Sequence, residues 1–289
     1  MIRKFSLMNG NGDVQTLTEP NDKVFGHNPT GLGFTTSPAF LRLGNDNIKT
    51  YSQYDMVEKE LEILFYDDGN EAKYQKYNDF VKFIVIEPVY LIYEINNNAY
   101  RMKVHINSLS KGEVSHEDSM LHCNLSMTPL SFWEDNLPNI IETSRSVDDG
   151  KSYPLSRPYE YGSVTTDNIE INSVGTLDSP LIITINGQTT NPTYEIRDEF
   201  GNVYGKGKFI GTFDKVVVNA EEAEETIELY QNGVLVVNPY NYQDLSIGDG
   251  KTYLTFIKMK TGLNKLSFGL DAGFGGSVKV EWRNRYVSV

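Results

Sequence analysis

From Tyr100 to Asn107 the chain alternates without a break: Tyr100, Met102, Val104 and Ile106 form one set, and Arg101, Lys103, His105 and Asn107 the other. A period of two predicts a half-buried β-strand. Upstream, VYLIYEI (89–95) and the asparagines at 96–98 predict a hairpin into that strand. Downstream, Leu121, Cys123, Leu125 and Met127 alternate with His122, Asn124 and Ser126, which predicts a returning strand after a turn in LSKGEV (109–114). VEKELEILFY (57–66) is a further strand of the same sheet.

The period changes once. In GNEAKYQKYNDFVKFI (69–84), Tyr77, Phe80, Val81 and Ile84 recur at helical spacing, with Lys73, Lys76, Asp79 and Lys82 read as the polar side. Asn70 is the expected N-cap, Glu71 suits the first turn, and Pro88 closes the segment. A helix packed on a sheet makes this half α+β. From Trp133 to about Gly162 three prolines and mixed charges show no sustained period, which predicts a connector. Beyond it, short apolar runs are separated by turn signals at Asn186-Gly187, Gly201-Asn202, Asn232-Gly233 and Asp249-Gly250. With a final alternation of Val278, Val280 and Trp282, this half predicts a β-sandwich. The expected organisation is therefore 1–133, a connector over 134–163, and 164–289.

Composition narrows the function. A net charge of -13 argues against nucleic-acid binding and against adhesion to anionic lipid. No stretch has the apolar length needed to span a bilayer, and the N-terminus reaches polar sequence before any signal-like run, so a cytoplasmic product is expected. The single Cys123 excludes an intrachain disulfide and reads as a core residue.

The chemistry-bearing residues lead nowhere sharp. Gly26 and Gly31 have the spacing of a phosphate loop, but Leu32 and Gly33 stand where the lysine and hydroxyl belong, and no helix follows. The bland reading is a glycine turn entering an extended segment. His105 and His122 with His116 and Glu117 would suit a two-histidine, one-carboxylate cluster, yet no ligand spacing supports it, and solvent-facing histidines are expected. His122 and Cys123 point to opposite faces and cannot act as base and nucleophile together. The serines of 108–119 lack a nucleophile elbow, and the 39 acidic residues make accidental carboxylate pairs inevitable. Glu221–Glu225 reads as a solvated loop, and Tyr240, Tyr242 and Tyr253 suit core, interface or sugar stacking equally. No catalytic residue, metal site or cofactor is expected.

In order and length these features resemble the distal tail proteins of siphophages of Gram-positive hosts, also found in tail-derived bacteriocins. The likeness rests on IRKFSLMN, the PTGLGF turn, the strand and helix ending in YNDFVKFI, the meander closed by LSFWE, the Pro-rich connector, and NKLSF followed by VKVEWRNRYV. It implies a mainly β fold: an N-terminal β-sandwich with one α-helix and a long hairpin, and a C-terminal galectin-like β-sandwich. It implies a homohexameric ring at the virion tail tip, assembled in the host cytoplasm. Its partners would be the tail tube protein, a tail-associated lysin or tail fibre, and receptor-binding baseplate proteins. PTGLGF then becomes a structural turn, with Gly31 and Gly33 placed for backbone conformation. A carbohydrate-binding protein and a cell-wall glycan hydrolase are the alternatives that the residues leave open.

Overall fold

The computed structural model describes residues 3–18, 23–43, 46–114, 119–144, 165–244, 256–271 and 274–289. They fall into two compact units, one running to Leu137 and completed by Arg285–Val289, the other spanning Pro138–Asn284. The first unit contains β1 (Arg3–Met8), β2 (Val14–Thr16), β3 (Val24–Thr30), β4 (Thr35–Leu43), β5 (Asp46–Asp55), β6 (Lys59–Phe65), α1 (Asn70–Ile84), β7 (Val89–Ile95), β8 (Asn98–Val114), β9 (Leu121–Pro129) and β10 (Trp133–Asp135). The second contains β11 (Asn139–Ser144), β12 (Thr165–Ser173), β13 (Ser179–Thr190), β14 (Thr193–Arg197), β15 (Val203–Lys208), β16 (Thr212–Asn219), β17 (Thr226–Gln231), β18 (Val234–Leu235), β19 (Lys258–Met259), β20 (Gly262–Leu270) and β21 (Ser277–Trp282). A last strand, β22 (Arg285–Tyr286), belongs again to the first unit.

In the first unit a single nine-stranded sheet runs β2-β1-β7-β8-β9-β6-β3, with β10 paired to β8 and β22 to β10. Its ends meet. The Leu17 N–H donates to the Phe5 carbonyl at 2.8 Å, and the Gly26 N–H donates to the Leu17 carbonyl at 2.6 Å. Gly26 is needed for this approach, because a Cβ there would sit 3.1 Å from that of Leu17. The two faces that a sandwich requires are thus supplied by one sheet rolled around a common core of Leu7, Leu17, Ile63, Phe65, Leu91, Leu121, Leu125, Met127 and Trp133.

The alternating strands bury the faces that their sequence assigns, with Met102, Val104, Cys123 and Leu125 inside. The asparagine hairpin also forms, Asn96 and Asn97 taking φ 51 and 68. β8 differs. It continues through LSKGEV, pairing Lys111 with Cys123 and Val114 with Leu121 across two bulges. Its polar end is held on the helix, where the Lys111 Nζ lies 4.2 Å from the Tyr74 ring centroid.

The helix packs Phe80 and Ile84 into the core, with Tyr77 and Phe80 edge-on to Phe65 at 5.8 and 5.5 Å. Its cap is Gly69 at φ 86, without a side-chain cap bond, so Asn70 is the first helical residue and not the cap. Lys73, expected on the polar side, is buried. It lies seven residues before Phe80 on the core-facing side, and helical geometry outweighs its charge.

The second unit stacks two sheets, β11-β21-β13-β16-β17-β18 with β19 on β13, and β12-β20-β14-β15. Ile183, Val216, Leu229 and Val280 from one meet Ile171, Tyr194, Ile196 and Phe268 from the other in one core. That is a β-sandwich. Asn232-Gly233 turns as expected, at φ 52 and 73. Asn186-Gly187 does not; it lies inside β13 at a bulge, where Gly187 packs against Gly275 and Gly276. Asp249-Gly250 lies outside the described residues.

The connector begins later than its composition suggests. β10 and β11 occupy 133–135 and 139–144, β11 pairing along β21 from Asn139↔Trp282 to Ser144↔Ser277. Such an edge strand buries little beyond Ile141, so its period is faint. Residues 145–164 lie outside the described residues. At the other end, the chain leaves the second unit and re-enters the first, pairing Tyr286 with Trp133 and Arg285 with Glu134. Tyr286 stacks edge-on against Tyr100 at 5.2 Å and donates to Asp135 Oδ1 at 3.1 Å. Replacement of Tyr286 by Ala is expected to destabilise the first unit by about 2 kcal/mol. Thermal denaturation should show the first unit's transition lowered and the second's unchanged.

Candidate functional site

The feature most exposed to a partner is a hairpin. β4 and β5 form a two-stranded sheet of their own, and every residue of both strands is exposed except Asp55, which is partly covered. Phe34, Phe40, Leu41, Leu43, Ile48, Tyr51, Tyr54 and Met56 lie between 44 and 59 % exposed along this arm and its roots. Cross-strand partners share a face, so Ala39 with Tyr51 and Leu41 with Ile48 line one side, and Phe40 with Lys49 and Thr36 with Tyr54 the other. Internal support is slight: Phe34 meets Tyr54 edge-on at 5.6 Å, and the Thr50 hydroxyl donates to the Ala39 carbonyl at 3.1 Å. A two-stranded hairpin is marginal alone, and its apolar side chains gain only if another surface covers them.

The arm leaves the rolled sheet through the glycine turn. Gly31 has φ +72, and a Cβ there would fall 1.9 Å from the Glu58 carbonyl oxygen. Gly33, expected to share this role, has no positive φ, and a Cβ there would meet nothing within 4 Å. The turn is pinned on both sides. Asn28 Nδ2 donates to Glu62 Oε2 at 3.2 Å and the Thr30 hydroxyl to Glu60 Oε2 at 3.5 Å, while Lys59 Nζ donates to the Gly31 carbonyl. No phosphate cradle exists here, because the Gly31 carbonyl is turned toward a lysine and a strand follows the turn.

The histidines do not meet in the cluster that the sequence suggests. β8 and β9 do pair, but His105 stands opposite Thr128, six residues along β9 from His122. His105 Nδ1 lies 3.2 Å from Glu87 Oε1. His122 Nδ1 lies 3.0 Å from Glu62 Oε1, and it is His27 that completes the group, its Nε2 3.3 Å from Glu62 Oε2. The bond to His122, with that to Asn28, holds the Glu62 carboxyl below the ordinary range. Nothing local in the sequence marks His27; only the pairing of His27 with Glu62 across β3 and β6 does. Among the described residues no group of three ligands converges as a metal site requires. His116, Glu117 and Tyr253 lie outside the described residues.

Cys123 faces the core of β9, where burial pushes its thiol up and away from reactivity. In the second unit Tyr242 packs on Phe213 at 5.6 Å, whereas Tyr240 is 52 % exposed. It follows Val234, Leu235 and Val237 as a further exposed apolar residue in the segment that contains β18. The 221–225 segment is exposed apart from Glu221, and Lys258 pairs with Glu222.

The fold of the chain is similar to that of solved phage proteins. The chain superposes on a chain of the phage P2 baseplate in its activated conformation with calcium at a TM-score of 0.63 and 15 % identity, covering 100 % of both. Against the Dit protein of phage SPP1, described as a paradigm of the hub adsorption apparatus in phages infecting Gram-positive hosts, the TM-score is 0.59 at 11 % identity, over 96 % of this chain and 98 % of that one. Residues 4–130 match the model for the N-terminal domain of distal tail proteins. No curated protein matches the chain by sequence.

The turn provides a test of its own. Gly31→Val is expected to cost the first unit about 2 kcal/mol or more, from positive φ and the clash with Glu58, and Gly33→Val less than about 0.5 kcal/mol. Urea denaturation of the two variants should separate them; equal losses would count against this account of the turn.

Proposed function

We propose that this chain is a distal tail protein and the hub of the baseplate of a long non-contractile tail. Its first unit assembles as a homohexameric ring at the tail tip, joined on one side to the tail tube and on the other to a tail-associated lysin or tail fibre and receptor-binding proteins. The observation that carries this reading is the arm. Its apolar side chains have no place in their own subunit's core, and a neighbouring copy is the partner that a ring supplies at every position. The acidic balance suits a hub around a DNA passage, which must not retain its cargo. The role is structural, without catalysis. The second unit, a galectin-like sandwich in this reading, serves as the docking platform, its exposed Tyr240 and Val237 being the kind of anchors on which interface energy concentrates.

The arm can be tested without disturbing the core. Leu41→Asp and Ile48→Asp place carboxylates on one face of the arm and are each expected to weaken assembly by about 2 kcal/mol or more, roughly 30-fold in the association constant per interface. Sedimentation should show the wild-type chain as a ring and the double variant as a folded monomer with unchanged circular dichroism. A double variant that still sediments as the ring would remove the arm from the assembly contact.

A further inference from the structure

We propose that the root of the arm is a hinge closed by a weak latch: Lys59 holds the Gly31 carbonyl from inside the rolled sheet, and the latch is weak because closing it buries an ammonium group. The geometry gives a defined closed state. Gly31 seats at φ +72 against the Glu58 carbonyl, and the turn residue Leu32 packs on the core, so the turn lies directly over Lys59. Lys59 stands on the inner row of β6 with Leu61, Ile63 and Phe65, opposite Met127 of β9, and is 3 % exposed.

An ammonium carries three donors, yet among the described residues Lys59 makes one hydrogen bond, to Gly31, and no ion pair. The charged groups of the neighbouring strands face the other way. Glu60 and Glu62 occupy the outer positions of β6, beside His27 of β3 and His122 of β9. Outside, the root is held by the amide of Asn28 on Glu62, the hydroxyl of Thr30 on Glu60, and the Ser288 hydroxyl, which donates to the Leu32 carbonyl at 3.4 Å. Such contacts are individually weak in water. The interior contact, which would otherwise dominate, is offset by the lost hydration of the charge. The arm is therefore set to swing on its own subunit and to be fixed only when a partner covers it.

Proton linkage supplies a handle. Burial lowers the Lys59 amine from 10.5 to about 8 with the root closed. With the turn lifted, the amine regains water and its ordinary value. The open form then binds the proton more tightly, so the closed form gains population as pH rises from about 8 toward 10.5 and is weakest below that window. On the inner face, Cys123 of β9 is the other ionisable group near this row, its thiol raised by burial.

The test uses the full chain carrying Leu41→Asp and Ile48→Asp, so that no partner covers the arm, with nitroxide labels at Leu43→Cys on the arm and Val85→Cys on the body, both exposed; wild type here means this chain with Lys59 unchanged. Pulsed dipolar spectroscopy at about pH 7 should give a distribution about twofold broader for the wild type than for Lys59→Met, and the wild type should narrow on going to about pH 10. Lys59→Arg, charged throughout, should stay broad at both. Identical distributions for wild type and Lys59→Met, or a wild-type width that ignores pH, would overturn the latch. If Lys59→Met does not fold, the wild-type titration against Lys59→Arg decides alone.

Discussion

The first unit closes its core before it has used all of its apolar side chains, and the rest of its behaviour follows from that. The contacts of Leu17 with Phe5 and Gly26 bring the two ends of one sheet together, and among the described residues β4 and β5 pair with each other and not with that sheet. Burial of apolar surface is the main favourable term in folding and in association alike. In the first unit the longest run of exposed apolar side chains among the described residues lies on this one hairpin, and covering them requires another surface.

The same economy explains the turn at the arm's base. Gly31 is the position at which the backbone must take positive φ and approach Glu58, whereas Gly33, two residues on, meets nothing. The turn is a geometric device. Its outer side is tied by Asn28 and Thr30 to carboxylates of β6, and its inner side by one lysine. The C-terminal pentapeptide works in the same unit, Tyr286 lying over Tyr100 and pairing with Trp133, so the second unit is an insertion between β10 and β22.

Much of this was legible in the sequence where burial is one-sided. β6, β8, β9 and β21 bury one face and expose the other, and the period of two survives in Met102–Val104, Leu121–Met127 and Val278–Trp282. Where a strand buries little, as in β11, the pattern fades and composition reads as linker. Long-range pairing left no local trace either: neither the return of Tyr286 to Trp133 nor the placement of His27 beside Glu62 can be derived from neighbours in sequence. The buried lysines are a different case. Lys59 shares the parity of Leu61 and Ile63, and Lys73 lies seven residues before Phe80, so both stand on the buried rows of their elements although their charge argues for the surface. The arm is the opposite case, because Leu41, Leu43 and Ile48 are apolar and exposed.

The central claim is that the first unit carries its own means of assembly. It is tested most directly by the native mass of that unit alone, made by joining Leu137 to Arg285 through a short flexible linker, since β10 and β22 already bring these ends together. The account predicts a closed oligomer of the same subunit number as the full chain. A folded monomer at high concentration, with the excised Pro138–Asn284 unit forming the oligomer instead, would contradict it.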